Sequence, residues 1–234
     1  MSAAEQKAAA AAAALEYVED GMILGLGSGS TAEIFVQMLG QAVAQGLNVR
    51  GIPTSTNTEA LAKESGVPLM PVEQADRIDL TVDGADEVDG RFRLVKGGGG
   101  CLLREKIIAA ASDLMVVVVD ETKLVAELGA FPLPVEVTPF GFTITAKKVF
   151  ASLRRAGVRS PDVSLRRRGD GLEPFMTDGG NYILDCACGE IPDPEAAADA
   201  LADTPGVVEH GLFIEIARVI IVGEDESTAR VMEL

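Results

Sequence analysis

Four short apolar runs, at residues 22–26, 49–52, 78–82 and 114–119, alternate with segments of helical period at 32–43, 58–65 and 101–111. That alternation is the strongest constraint on what the chain can fold into. Each parallel strand pair needs a crossover, and helices supply it, so the pattern predicts a parallel sheet with helices on both faces. An alanine-rich helix over 4–18, closed by Asp20-Gly21, precedes the first strand. After Phe131-Pro132-Leu133-Pro134 the order changes: strand 135–137, helix 143–156, strands 163–167 and 182–186, helix 194–201. This β-α-β-β-α order predicts a small α+β unit of the split-βαβ kind. Apolar runs at 213–216 and 219–222 then read as strands returning to the first sheet. There is no internal repeat, low-complexity tail or long linker.

Within this frame, residues 83–106 are the hardest to explain as scaffold. They hold D-G-A-D-E-V-D at 83–89, K-G-G-G-G at 96–100 and R-E-K at 104–106. Four consecutive glycines forfeit packing and carry a large ordering entropy, so they belong where backbone takes unusual angles or touches a ligand. Asp83 and Asp86 follow the third strand, at the carboxyl edge where open α/β sheets bind ligands, and carboxylates grip sugar hydroxyls through charge-assisted hydrogen bonds. The alternatives are Asx turns on a solvated loop or a divalent-metal loop, and for Glu87 and Asp89 the solvated reading is favoured. Lys96 precedes the glycines and Glu105 follows them by one helical turn. A partly desolvated carboxylate beside a lysine suits general-base chemistry with oxyanion stabilisation. The alternative is a surface Glu-Lys pair with Arg104, Glu105 and Lys106 all in solvent.

A second glycine-rich loop, Gly25-Leu26-Gly27-Ser28-Gly29-Ser30-Thr31, lies between a strand and a helix, where converging N–H groups accept a phosphate or carboxylate. A tight turn with a capped helix is the plainer alternative. The dinucleotide fingerprint fails at its sixth position, Ser30, and the second strand ends in Gly51-Ile52-Pro53-Thr54 without a ribose-binding acid, so NAD is disfavoured; the P-loop pattern is absent too. Twenty basic against 36 acidic residues give a net charge of −16 over 234 residues, which argues against nucleic acid as a partner and requires any phosphate site to be locally positive. Lys7 and Lys123 are isolated cations, while arginines 154, 155, 159 and 166–168 read as a solvated face or an oligomer contact. Three cysteines cannot form a disulfide framework, and one histidine, His210, without zinc spacing argues against a metal. No apolar stretch reaches the ~20 residues of a membrane span, so the expectation is a soluble, cytoplasmic protein with no membrane partner.

Taken together, G-L-G-S-G-S-T-A, D-G-A-D-E-V-D, K-G-G-G-G-C-L-L-R-E-K, F-P-L-P-V-E-V and the G-L-F at 211–213 closely resemble ribose-5-phosphate isomerase of the A type, in the right order over nearly the whole chain. The resemblance implies a Rossmann-like domain over 1–130 plus 208–234, an inserted ferredoxin-like α+β domain over 131–207, no cofactor, and a homodimer or tetramer. It implies interconversion of D-ribose 5-phosphate and D-ribulose 5-phosphate through a cis-enediol. Carried onto this chain, it makes Glu105 the proton-shuttling base and Lys96 the partner for charge on the oxygens. Asp83 and Asp86 would bind sugar hydroxyls and help ring opening. Ser28, Gly29, Ser30 and Thr31 would hold the phosphate with Lys7 and Lys123, and Gly84, Gly97 and Gly98 would line the substrate. Cys101, where a small residue such as alanine is expected, and Ser28, where threonine is familiar, are mild departures. A coenzyme A transferase-like enzyme with a glutamyl thioester, and a non-catalytic sugar-phosphate sensor, are the rival assignments.

Overall fold

The computed structural model describes residues 2–169, 171–224 and 228–234. In chain order the elements are α1 (Ala3–Leu15), β1 (Ile23–Leu26), α2 (Ser30–Ala44), β2 (Arg50–Pro53), α3 (Thr56–Glu64), β3 (Ile78–Asp83), β4 (Glu87–Val88), β5 (Leu94–Val95), α4 (Leu102–Ala110) and β6 (Ser112–Asp120). They continue with β7 (Leu133–Val137), α5 (Phe142–Arg155), β8 (Asp162–Leu165), β9 (Tyr182–Ala187), α6 (Pro194–Ala202), β10 (Val207–His210), β11 (Leu212–Phe213), β12 (Val219–Gly223) and β13 (Ala229–Glu233). The chain divides into two compact units, the first drawn from residues 1–85, 104–124 and 215–234, the second from 86–103 and 125–214.

In the first unit a six-stranded sheet runs in the order β13-β12-β6-β3-β1-β2, parallel except for β13, which pairs antiparallel with β12. Strand alternation sorts its two faces. Leu24, Leu26, Leu80, Val82, Val116 and Val118 pack with Ala10, Ala14, Phe35 and Leu39 of α1 and α2 in one buried cluster. Gly25 and Thr81, of opposite parity, lie against Ile108 of α4. Helices therefore cover both faces, the Rossmann-like arrangement expected from the alternating runs. Helix α1 begins with a capping box in which Ser2 and Glu5 satisfy each other's backbone N–H groups. The missing side chain at Gly223 lets the α1 backbone approach the sheet closely: a Cβ there would lie 1.8 Å from the Gln6 carbonyl oxygen.

The second unit contains an antiparallel sheet in the order β10-β7-β9-β8, with chain order β7-α5-β8-β9-α6-β10. This is a ferredoxin-like α+β unit, completed by a fourth strand, β10, that the sequence pattern did not reveal. Its core gathers Leu133, Val135, Val149, Leu153, Leu184 and Leu201. A separate three-stranded sheet, β11-β5-β4, belongs to the same unit. The run beginning at Phe213 does not return to the first sheet; Leu212 and Phe213 pair with Val95 and Leu94, and only β12 rejoins the parallel strands. The second unit thus takes in 86–103, 125–130 and 208–214 in addition to 131–207, because β4, β5 and β11 depend on one another for their backbone hydrogen bonds.

Candidate active site

The loop after β1 is shaped by close contacts at its glycines. Gly27 N–H donates to the Val82 carbonyl (2.9 Å), and a Cβ on Gly27 would fall 2.2 Å from Asp83 Oδ1. Asp83, fully buried at the end of β3, accepts hydrogen bonds on that oxygen from Ser28 N–H (3.0 Å) and Gly84 N–H (2.7 Å). The Ser28 hydroxyl lies 2.9–3.0 Å from those of Thr54, Ser55 and Thr58, and Thr54 and Thr58 donate onward to the carbonyls of Leu26 and Gly27. Ser28 therefore spends both its N–H and its hydroxyl on holding the loop to Asp83 and to the start of α3. Gly29, at φ +96°, turns the chain into α2, whose first residue is Ser30 and whose cap position supplies no side-chain hydrogen bond. First-turn N–H groups there have no intrahelical acceptor and present positive potential. Lys7 from α1 donates to Ser30 Oγ at 2.9 Å, so a lysine isolated in sequence stands at this helix start. Thr31 is buried beside it.

Helix α4 carries the chain back along the sheet to β6, which begins two residues after it ends. Ile108 packs on Gly25, and Glu105, three residues earlier on the same helical face, lies one turn nearer the carboxyl edge that bears Gly27 and Asp83. Glu105 is only 4 % exposed, whereas Arg104 is exposed and Lys106 half-buried. An all-solvent R-E-K is thereby excluded. Lys123 is half-buried in the short 3-10 turn Glu121–Lys123 that follows β6.

In the second unit, Lys96 follows β5 directly. Its N–H donates to the Gly211 carbonyl (2.8 Å), its ammonium lies 5.5 Å from the Phe213 ring centroid, and the residue is 3 % exposed. Cation–π contact offsets part of what burying an ammonium costs. Asp86 Oδ2 accepts Gly98 N–H at 2.8 Å, and a Cβ on Gly98 would meet Asp86 Oδ1 at 2.6 Å. Gly97, at φ +104°, closes a turn in which its carbonyl accepts Gly100 N–H at 3.0 Å. Asp86 and the glycine loop are thus one hydrogen-bonded assembly, with Lys96 at its head.

Glu87 and Asp89 are not on a solvated loop: they are 3 % and 4 % exposed. Glu87 accepts the N–H groups of Gly129 (2.7 Å) and Phe131 (2.6 Å), tying that segment under the β4–β5 hairpin. Asp89 caps the hairpin turn through Arg91 and Arg93 N–H and pairs with the Arg93 guanidinium. Burial repays such carboxylates only when their oxygens are satisfied, which these hydrogen bonds do. Among the described residues no group of three or more His, Cys, Asp or Glu is placed to hold a metal ion.

The basic cluster also resolves into separate roles. Arg166 forms a fork to Asp185 (2.9 and 2.5 Å) and donates to the Gly97 and Gly98 carbonyls. Arg154 and Arg155 bond locally, to the Val158 carbonyl and Ser152. Nothing in the spacing of Arg166 and Asp185 signals their pairing; only the β8–β9 register brings them together.

Known proteins match this chain along its whole length. The family model described as ribose 5-phosphate isomerase A (phosphoriboisomerase A) matches residues 50–227. A ribose-5-phosphate isomerase A from Maricaulis maris is 68 % identical over 234 residues, covering all of both chains. Among solved structures, a D-ribose-5-phosphate isomerase in complex with phospho-erythronic acid superposes with a TM-score of 0.92 at 37 % identity, covering all of both chains. The ribose 5-phosphate isomerase from Plasmodium falciparum gives 0.91 at 33 % identity, covering 100 % of this chain and 99 % of that one. A chain that carries the family's motifs in order, folds as its solved members do and aligns with them end to end belongs to the ribose 5-phosphate isomerase A family.

Proposed function

We propose that the chain interconverts D-ribose 5-phosphate and D-ribulose 5-phosphate through a cis-enediol, the isomerisation of the non-oxidative pentose phosphate pathway. Its family supports the reaction, and the observation that carries the site is the junction of anion loop and buried acid, where Ser28 N–H and Asp83 share a hydrogen bond. The phosphate binds at the start of α2, to Gly29, Ser30 and Thr31, with Ser28 at the base of the loop and Lys7 and Lys123 supplying positive charge. Asp83 with Gly84, and Asp86, take the sugar hydroxyls and assist ring opening.

After ring opening, Glu105 removes the C2 proton of the aldose and returns it to C1. Lys96, with Gly97 and Gly98 beside it, stabilises the charge that moves onto the oxygens. General-base action contributes about 10² to 10⁴ in rate, and one oxyanion donor about 10² to 10³. Neither suffices alone, so anchoring of the phosphate must also hold C1 and C2 over the carboxylate. The reaction needs no metal and no cofactor in this scheme.

The enzyme acts in the cytoplasm as a homo-oligomer, dimer or tetramer. Free cysteines at 101, 186 and 188 suit a reducing compartment, and Phe140 and Ile144, exposed near the start of α5, offer apolar area for a subunit contact. Among the described residues no helix is long and apolar enough to cross a membrane. The decisive experiment incubates purified, chelator-treated protein with ribose 5-phosphate in deuterated water. Ketose should form with deuterium entering at C1, read by NMR; no ketose, or activity restored only by a divalent ion, would overturn the scheme.

A further inference from the structure

We propose that Arg166, locked by Asp185, is a positioning residue for the isomerisation: it sets the backbone of the tetraglycine loop and, through it, Lys96 and Asp86. The inference rests on the proposed reaction and adds a residue to it.

Arg166 follows β8, and its N–H donates to the Ile183 carbonyl (2.8 Å), so its backbone continues the β8–β9 ladder. Ser164 stands opposite Asp185 in that ladder, which makes Arg166 and Asp185 a diagonal cross-strand pair. The guanidinium uses Nε and Nη2 on the two Asp185 oxygens, at 2.9 and 2.5 Å, leaving Nη1 directed outward. Nη1 donates to the Gly97 carbonyl at 2.9 Å and the Gly98 carbonyl at 3.1 Å. The ring of Phe175 lies 5.8 Å from the guanidinium carbon, and a Cβ on Gly100 would touch that same ring at 2.5 Å.

These contacts leave the loop little freedom. The Gly97 carbonyl accepts both Arg166 and Gly100 N–H, filling its two lone pairs. A trans peptide sets its N–H opposite its carbonyl. With the Gly97 carbonyl drawn to Arg166, the Gly98 N–H is turned away from it, towards Asp86 Oδ2. With the Gly98 carbonyl drawn the same way, the Gly99 N–H is also turned from the guanidinium. One cation therefore orients two successive peptide planes next to Lys96 and fixes which oxygen of Asp86 is engaged.

Stability alone is a poor explanation for this pair. The side chains of Arg166 and Asp185 are 14 % and 25 % exposed, and an ion pair withdrawn from water returns little net free energy. What the fork does supply is direction, and lysine cannot reproduce it because an ammonium lacks the planar set of donors.

The test compares kcat, KM for ribose 5-phosphate, the inhibition constant of inorganic phosphate and thermal unfolding for the full chain, Arg166→Met, Arg166→Lys and Asp185→Asn. Because phosphate is assigned to the loop before α2, its inhibition constant should stay within about threefold while kcat falls about 10- to 100-fold in Arg166→Met, the usual scale for sub-ångström to ångström misplacement of a catalytic group. Arg166→Lys should recover only part of that loss, and Asp185→Asn should show a smaller one. Should Arg166→Met fail to fold, Asp185→Asn carries the same comparison. A kcat within twofold of the parent in folded variants would overturn the inference, as would a parallel loss of phosphate affinity, which denotes general damage. Failure of the unsubstituted chain to turn over ribose 5-phosphate would instead overturn the reaction itself.

Discussion

The molecule has two glycine-rich loops, and they are held by opposite means. The loop at 25–31 is built on the carboxyl edge of a parallel sheet, braced by backbone amides on Asp83 and by a knot of neutral hydroxyls from Ser28, Thr54, Ser55 and Thr58. The loop at 97–100 is held by charge: Asp86 on one amide and Arg166 on two carbonyls. The first loop leads into the start of α2 with Lys7 beside it, where the proposed reaction places the phosphate. The second fixes the peptides next to a buried lysine, an arrangement for aiming a charge. In the proposed reaction, damage to the first should appear mainly in KM and damage to the second mainly in kcat.

The sharpest probe of that division is the base itself. Glu105→Gln should lose about 10² to 10⁴ in kcat while KM stays within a few-fold, and solvent-proton exchange at C2 should vanish in the NMR assay; near-normal turnover would remove Glu105 from the role. Next, Gly98→Ala places a methyl 2.6 Å from Asp86 Oδ1, whereas Gly99 has nothing within 4 Å of its own Cβ position. The first should lose about 10- to 100-fold in kcat, and the second should remain within about threefold in steady-state assays; equal effects would break the picture of a clamped loop. In the anion loop, Ser30→Ala removes the hydroxyl that receives Lys7. It should raise KM about tenfold, the equivalent of one hydrogen bond to a charged group, with kcat little changed.

Smaller effects test the hydroxyl knot and the scaffold. Thr54→Val removes the hydroxyl that reaches the Leu26 carbonyl and the Ser28 hydroxyl while the Thr54 N–H still donates to that carbonyl, and should lower unfolding stability by about 1 kcal/mol in denaturant titration. In the second unit, burial first and then the negative charge of Glu87 push the Cys188 thiol up to about 12. Burial first, and then neighbouring negative charge, also raise the Cys186 thiol well above its ordinary value. An unfolded thiol ionises near pH 8.5, so the folded state holds more protons above that pH and stability must fall as pH climbs from there towards 12. Unfolding midpoints measured across pH 8 to 11 should decline accordingly. At neutral pH, mass spectrometry after brief alkylation should find Cys101, which is half-buried, labelled before the other two.

Much of this site is local chemistry and was legible along the chain. Asp83 had to stand at a carboxyl edge because a buried apolar strand runs into it, and Gly29-Ser30-Thr31 had to open a helix because strand and helix flank it. Glu105 and Lys96 stood out because they bracket four glycines. Glu87 and Asp89 read as solvated from sequence because a carboxylate in a polar run shows nothing of its partners, and those of Glu87 lie more than forty residues away. The strands β4 and β5 give no signal because two-residue strands carry no period, whereas β11 reads as a strand at 213–216 and only its pairing with β5 is hidden.

Composition and pattern by themselves determined the alternation of strands and helices, the two glycine loops and the identity of the acids and lysine beside them, because strand propensity, helix period and glycine's lack of a side chain act over a few residues. Which strands pair, that residues 212 and 213 leave the parallel sheet for β5, that Lys7 meets Ser30 and that Arg166 grips the glycine carbonyls were decided only in the folded chain. Those contacts join residues separated by between 23 and 119 positions, and their free energy depends on sheet register and burial, which no local stretch of sequence contains.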